Sequence, residues 1–256
     1  MSHTFRVGLF TIRHPSNTAT IQPLWRLLSD PIIGPATFDS VERAKFPFRP
    51  GVAAAAAQIY DDEGCLFVRG RKDSFLGSFA RQSAGLSIWN FFLDVKAMHG
   101  RKGERWLAWF LHLSSELPVL FGFGCSIAEY EAKHLIIRKL PNGGRVTEWV
   151  GISVSEFMQY LPGIYWLTIF GSELVEAFTR AKLESLPDVK SFVLNANQMG
   201  ICLSEPIVHP NMNRRLQTES QLAAILGAQY FFDRNKAGQS FEPVPQLLQV
   251  LQSRRP

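Results

Sequence analysis

The clearest change of hydrophobic period along the chain falls between residues 149 and 178. Ser153 and Glu156 form a capping box, and Val154, Phe157, Met158 and Leu161 share one helical face behind it. Pro162-Gly163 ends that helix. Residues 164–170, IYWLTIF, are β-branched and aromatic with one hydroxyl, which predicts a strand covered on both faces. Gly171-Ser172 then predicts a turn with Ser172 as N-cap of a second helix, carrying Leu174, Val175, Phe178 and Leu183 inward. A strand sandwiched in this way needs other elements around it.

The remaining pattern supplies them. Residues 4–13 read as an opening strand, and Asn17 or Thr18 caps a helix with Ile21, Leu24, Leu27 and Leu28 inside. Residues 30–51, punctuated by Gly34, Pro35, Pro47, Pro50 and Gly51, read as irregular chain in which Phe38, Phe46 and Phe48 must pack somewhere. The five alanines at 53–57 suit helix or strand. Residues 58–60, the acidic turn Asp61-Asp62-Glu63-Gly64 and residues 65–69 predict a hairpin. Residues 85–93 predict a strand and residues 100–103 a basic turn. An apolar run at 106–113 precedes a helix capped by Ser114 or Ser115 and broken at Pro118. Residues 129–133 read as a short helix or turn, and Pro141-Asn142-Gly143-Gly144 as a tight turn between apolar runs at 134–137 and 146–150. Residues 192–194 and 199–203 predict a strand pair, residues 206–213 a loop, and residues 230–232 a short strand or buried plug. Thr218 caps a helix stopped by Gly227, and residues 245–251 form a last amphipathic helix. No βαβ repeat appears and hairpin signals dominate. The expectation is therefore an α+β class, a mostly antiparallel sheet with helices packed on it, with residues 1–256 as one domain.

A hydrophobic content of 46% with 12% aromatic residues is ample for a large core and excludes a disordered chain. The net charge of +5 lies in the first part of the chain: residues 1–140 hold 17 Lys and Arg against 12 Asp and Glu, and the remainder 10 against 10. Scattered basic pairs such as Arg101/Lys102 and Arg138/Lys139 suit a solvated surface better than a nucleic-acid footprint. Cys65, Cys125 and Cys202 sit far apart in apolar company, as reduced core thiols of a cytoplasmic protein do. The opening MSHTFRVGLF is too short and too polar for a signal peptide. The apolar window 106–128 is interrupted by His112, Glu116 and Pro118, so no membrane association is expected.

Catalytic signatures are missing from the sequence. No G-x-S-x-G occurs, and Gly122-Phe123-Gly124-Cys125-Ser126-Ile127 departs from a dinucleotide fingerprint at its last position. His3, His14, His99, His112, His134 and His209 show no zinc-ligand spacing. Cys125 with His112 or His134 would make a nucleophile and base only in an electropositive setting, and its phenylalanine neighbours predict a buried thiol. Trp149, Tyr165 and Trp166 suit core packing ahead of a ligand pocket. Asp61, Asp62 and Glu63 form the densest acidic cluster, a solvated turn or a contact for a basic partner, with Glu129 and Glu131 as further acidic candidates. The expectation is a binding protein with no catalytic residues, no cofactor and no metal. A hydrolase built from distant residues and a nucleic-acid-binding module remain as rivals.

One motif set is more specific. Gly85-Leu86-Ser87-Ile88-Trp89-Asn90, Ser126-x-x-Glu129-Tyr130-Glu131-Ala132-Lys133, Trp149-Val150-Gly151, Leu161-Pro162-Gly163-Ile164-Tyr165-Trp166-Leu167-Thr168-x-Phe170-Gly171 and Leu226-Gly227-x-x-Tyr230-Phe231-Phe232-Asp233 together resemble the immunity protein 52 family. The match extends from about residue 85 to 233. The resemblance implies an α+β cytoplasmic immunity protein of a type VI secretion or polymorphic-toxin system, without catalysis or cofactor. Its partner would be a cognate toxin, typically a restriction-endonuclease-like nuclease, neutralised by stoichiometric binding. The shared residues Trp89, Trp149, Gly151, Pro162, Gly163, Tyr165, Trp166 and Gly171 carry over as a fold signature, not as toxin contacts.

Overall fold

The computed structural model describes residues 4–82, 85–140, 143–205, 207, 211–234 and 241–253. The strands are β1 (Thr4–Thr11), β2 (Pro35–Asp39), β3 (Phe46–Pro47), β4 (Cys65–Gly70), β5 (Phe75–Arg81), β6 (Ser87–Asp94), β7 (Val119–Ser126), β8 (Leu135–Lys139), β9 (Arg145–Trp149), β10 (Leu167–Phe170), β11 (Val189–Asn195) and β12 (Gln198–Leu203). The helices are α1 (Thr18–Leu28), α2 (Ala53–Glu63), α3 (Gly100–Glu116), α4 (Ile127–His134), α5 (Val154–Phe157), α6 (Ser172–Phe178), α7 (Arg180–Glu184), α8 (Met212–Leu226) and α9 (Pro245–Gln252). Ten strands make one sheet in the order β11-β12-β10-β7-β1-β6-β5-β4-β2-β3, and β8 and β9 pair apart from it. Among the described residues every ladder is antiparallel, with one isolated parallel bridge between Leu161 and Phe231, so the class is α+β as expected.

The sheet changes character along its width. In β4, β5 and β6 buried positions alternate with half-buried ones, whereas β7, β10 and β12 are buried at every residue. On one face, Trp109 and Phe110 of α3 pack on Phe91 at 5.6 and 5.9 Å. The Trp109 indole donates to the Leu27 carbonyl of α1 (3.0 Å), and the Tyr60 hydroxyl of α2 meets Ser87 Oγ (3.0 Å). On the other face, Phe10 stacks on Phe157 of α5 (4.3 Å) and Phe123 on Tyr165 (4.6 Å). The FGFG run is the middle of β7, and its glycines open space for neighbouring strands. A Cβ at Gly122 would stand 2.7 Å from a Leu9 methyl, and one at Gly124 3.1 Å from the Phe5 ring.

Several local expectations are corrected. Residues 58–63 do not turn: they continue α2, because Ala53, Ala56, Ala57 and Tyr60 bury one helical stripe and Gly64, at φ 69°, caps its end. Helix α3 begins at Gly100 where a basic turn was expected. Ser114 and Ser115 lie inside it, their hydroxyls donating back to the Phe110 and His112 carbonyls. Strand β10 starts only at Leu167. Thr168 Oγ1 accepts from the Tyr165 N–H (2.9 Å), bending the buried chain so that Ile164 and Tyr165 stand off the ladder, while the Trp166 carbonyl still accepts from the Leu203 N–H of β12 (2.8 Å). Gly171, not Ser172, is the N-cap of α6, and the helix breaks at Thr179 (φ 64°), which caps α7 and its Leu183. Asn211 caps α8 and Thr218 lies within it. Residues 35–39 and 46–47, in the segment read as irregular, form β2 and the edge strand β3. Phe38 packs on Trp25 and Phe48 stacks on it, while Phe46 stays half exposed. Pro141 and Asn142 of the expected turn, residues 206 and 208–210 of the expected loop, and His3 and His209 lie outside the described residues.

Gly171 sits where β10 passes the start of β7, and a Cβ there would stand 2.1 Å from the Val119 carbonyl oxygen and 2.8 Å from that of Leu120. Gly171→Ala should therefore lower unfolding free energy by about 2–3 kcal/mol in denaturant titration, because backbone rather than a flexible side chain would have to move. An unchanged midpoint would contradict this packing.

Candidate functional site

The acidic residues expected to meet a partner do not converge. Asp61, Asp62 and Glu63 close α2 beside Arg81, which pairs with Asp61 at 3.0 Å, and Arg81 lies opposite Ser87 and so near Thr11. Glu131 is exposed on α4, which follows Ser126, opposite Phe5. The length of β1, about 20 Å at ~3.4 Å per residue, separates the two groups. Glu129 has no exposure at all and cannot present itself to another protein.

Glu129 instead anchors a buried ionic cluster. Ser126 Oγ caps α4 by accepting from the Glu129 N–H (3.2 Å), which sets that side chain toward the core. Its Oε1 accepts the Trp166 backbone N–H (3.1 Å) and its Oε2 accepts from Arg215 of α8 (3.0 Å), itself fully buried. Lys133, one turn along α4, reaches Glu219 on α8 at 2.6 Å and also donates to the Ile164 carbonyl, with its ammonium 4.0 Å over the Tyr165 ring. Glu205 pairs with Arg214 at 3.1 Å and approaches Arg215 at 3.8 Å. Burial and the neighbouring Glu129 push the Glu219 carboxyl well above the usual carboxylate range, against the pull of Lys133.

The aromatic signature supports this cluster from the side. His134 Nδ1 lies 2.7 Å from the Val150 carbonyl, which can only accept, so Nδ1 carries the proton. Its Nε2 then accepts from the Tyr165 hydroxyl at 2.6 Å. Burial lowers the His134 pKa to about 3. Tyr165 is wholly buried, and the Trp166 indole donates to the Glu205 carbonyl (3.0 Å). Trp89 is buried, with Nε1 on Ser87 Oγ (2.9 Å). Gly151 (φ 75°) faces Phe232, whose ring a Cβ would meet at 2.3 Å. Gly163 holds φ 137° after the buried Pro162. Trp149 departs from the core reading: it touches Tyr130 at 5.1 Å but is 46% exposed on β9.

Above the cluster lies a cleft of about 130 Å³, walled by Lys133, Gly163, Glu219, Ala223, Phe231 and Phe232. It adjoins the β8–β9 hairpin, because Arg234 on its rim donates to the Leu135 carbonyl (2.9 Å). That hairpin exposes Ile137, Val146 and Trp149. Cys125 is buried with its thiol pushed well up, and both ring nitrogens of His134 are engaged, so no nucleophile–base pair forms there. Among the described residues no group of three or more His, Cys, Asp or Glu is placed to hold a metal ion, and no helix is long and apolar enough to cross a membrane. Lys133 entered the sequence reading only as the end of the Ser126-x-x-Glu129 motif, and Arg215 and Glu219 were not singled out, although Glu129/Lys133 and Arg215/Glu219 are both spaced i,i+4.

This architecture has a counterpart among solved structures. The Pseudomonas aeruginosa T6SS protein PA0821 superposes with a TM-score of 0.55 at 15% identity, covering 97% of this chain and 80% of that one. At such identity the likeness is one of fold. No protein-family model and no curated protein matches the chain.

Two measurements test the cluster. Arg215→Met strands the Glu129 carboxylate in the core and should cost about 3–5 kcal/mol in denaturant titration, part of which Glu129→Gln recovers in the double variant. His134 binds a proton less readily folded than unfolded, so its contribution is complete above the model-peptide value of 6.5 and declines as pH falls toward about 3. The slope should approach about 1.4 kcal/mol per pH unit. Glu219, held high in the folded state, shifts stability in the opposite direction, so the informative quantity is wild type minus His134→Gln. A difference that does not vary with pH would refute the neutral, buried imidazole.

Proposed function

We propose that this chain is an immunity protein that binds and neutralises a cognate secreted toxin of a type VI secretion system, a nuclease of the restriction-endonuclease-like kind, by stoichiometric contact in the cytoplasm and without catalysis. The observation that carries the reading is the motif set between residues 85 and 233. Its aromatic and glycine members other than Trp149 serve the core and turns, leaving the outer surface for a partner. The fold shared with a T6SS protein supports it.

The β8–β9 hairpin is the surface best suited to the contact. Neither strand joins the main sheet, and Ile137 and Trp149 stand exposed on one face of it, with Val146 exposed on the other. Tryptophan is also among the commonest interface anchors. The chain's positive charge calls for binding that does not mimic nucleic acid, and an apolar hairpin with basic neighbours Arg138, Lys139 and Arg145 meets that condition. A catalytic reading draws on one feature, Glu219 beside the cleft. Lys133 and Glu219 are paired with each other, however.

Co-expression with the toxin gene found beside it should protect cells, and the purified pair should form a one-to-one complex. Trp149→Ala should weaken that complex by about 2 kcal/mol or more by calorimetry. Neither protection nor a complex would sink the proposal.

A further inference from the structure

The sheet face turned away from α3 is unevenly covered. In β5 and β6, Phe75 and Phe91 lie under α3, so the alternate positions point the other way, and along β4, β5 and β6 those positions are only half-buried. By register Arg6, Phe92, Leu76 and Arg69 form one row across this face, and Gly8, Asn90, Ser78 and Phe67 the next. A solvated antiparallel face carries polar side chains at such positions, yet Phe67, Leu76, Ile88 and Phe92 hold them here. Among the described residues Phe67 makes no ring contact, and that of Phe92 is with the Arg6 guanidinium, at 5.5 Å.

Two walls turn this face into a channel. On the β1 side, Tyr130 of α4 meets the Arg6 guanidinium at 4.2 Å and stacks on Phe123. On the β4 side, the chain that follows β2 lies on the same face: the Cys65 thiol donates to the Ser40 carbonyl (3.1 Å) and Arg69 to that of Glu42 (3.1 Å). Three strand spacings from β1 to β4 give a width of about 14 Å, and the length of β5 gives about 24 Å. One α-helix of about 16 residues has those dimensions. An added strand does not fit, because β4, β5 and β6 are each already paired along both edges. The floor, about 300 Å², is of the size at which an apolar patch marks an interaction site.

Arg6 sets the charge of the occupant. Its Nε and Nη2 donate to Asn90 Oδ1 (3.3 and 2.8 Å), a neutral acceptor. Among the described residues no carboxylate lies within ion-pair distance of it. Asp39 and Asp94, on the same face, accept the backbone N–H groups of Ser40 and Lys96. A guanidinium so placed favours an incoming carboxylate. We infer that the channel seats an amphipathic helix of the partner protein, its apolar stripe on Phe67, Leu76, Ile88 and Phe92 and one of its carboxylates on Arg6. The channel adjoins the β8–β9 hairpin, because Tyr130 also touches Trp149 at 5.1 Å, so one partner spans both. The inference rests on the chain being a binder of another protein, but its test needs no toxin. Failure here leaves neutralisation through the hairpin standing, and failure of protection leaves helix binding in the channel standing.

The test is an amide chemical-shift titration of the whole chain with an alanine-based helical peptide of about 16 residues. It carries leucines at i, i+4, i+7 and i+11 and one glutamate beside that stripe, and binding is followed at Leu76, Ser78, Asn90 and Phe92. Control peptides replace the glutamate by glutamine, or the leucines by serine. The glutamate peptide should bind about fivefold more tightly than the glutamine peptide, the worth of one ion pair, and the serine peptide should not bind. Arg6→Gln should remove the charge preference. The double variant Leu76→Thr/Phe92→Thr strips the apolar floor while keeping strand-forming residues, and should weaken both leucine peptides at least about tenfold. That pair keeps the test decisive if Arg6→Gln does not fold. Equal binding of the glutamate and glutamine peptides, no shift at these amides with any peptide, or full binding by the threonine variant overturns the channel.

Discussion

A single carboxylate ties together the α4, α8 and β10 region of this molecule. Glu129 is wholly buried and joins three elements distant in sequence: α4, which carries it, α8 through Arg215, and the Trp166 backbone at the entrance to β10. Burying a charge costs several kcal/mol, so such a group persists only where every lone pair finds a good partner. Here the N-cap at Ser126 sets the side chain's direction, and two strong donors complete it. The geometry of the cleft, the pairing of Lys133 with Glu219 and the position of the Tyr165 ring follow from that anchor.

The aromatic core does a different job. On one sheet face Phe75, Phe91, Trp106, Trp109 and Phe110 form a continuous set of stacked, tilted and edge-to-face contacts, which locks α3 against the strands. On the other face the layer over β7 is partly polar: Arg6 lies 4.2 Å over Tyr130, and His134 hydrogen-bonds Tyr165. The polar layer borders the cleft and hairpin, while the apolar layer faces away from them. Buried polar contacts are thus concentrated on the face of β7 that α4 and Tyr165 cover.

Legibility differed from element to element for physical reasons. The Ser153–Glu156 box reads from sequence because a cap is local, and both of its hydrogen bonds are present. Helix α8 was read as capped by Thr218 instead of Asn211, seven residues late, because its inward positions Arg215 and Glu219 are charged, which hides the apolar stripe that Leu222 and Leu226 continue. The second half of helix α2 was read as a hairpin strand and turn because Asp61, Asp62, Glu63 and Gly64 look like a turn, although the same Gly64 serves equally well as a helix end. The IYWLTIF run was rightly read as buried and wrongly as strand throughout, because burial does not specify which backbone hydrogen bonds a segment makes.

By itself the sequence determined the α+β class, the antiparallel pairing, the buried aromatic run with its glycine turns, and the absence of a recognisable local catalytic motif. Each depends on periodicity, caps or turn residues within a dozen positions of one another. Only the tertiary structure decided that Glu129 is an internal anchor and not a surface contact, and that Trp149 stands outside. It also decided that the i,i+4 pairs Glu129/Lys133 and Arg215/Glu219 exchange partners between helices. The reason is that the same four charges look like ordinary solvated helix pairs until α4 and α8 are brought together. Desolvation then makes the contacts across the two helices govern where each charge rests.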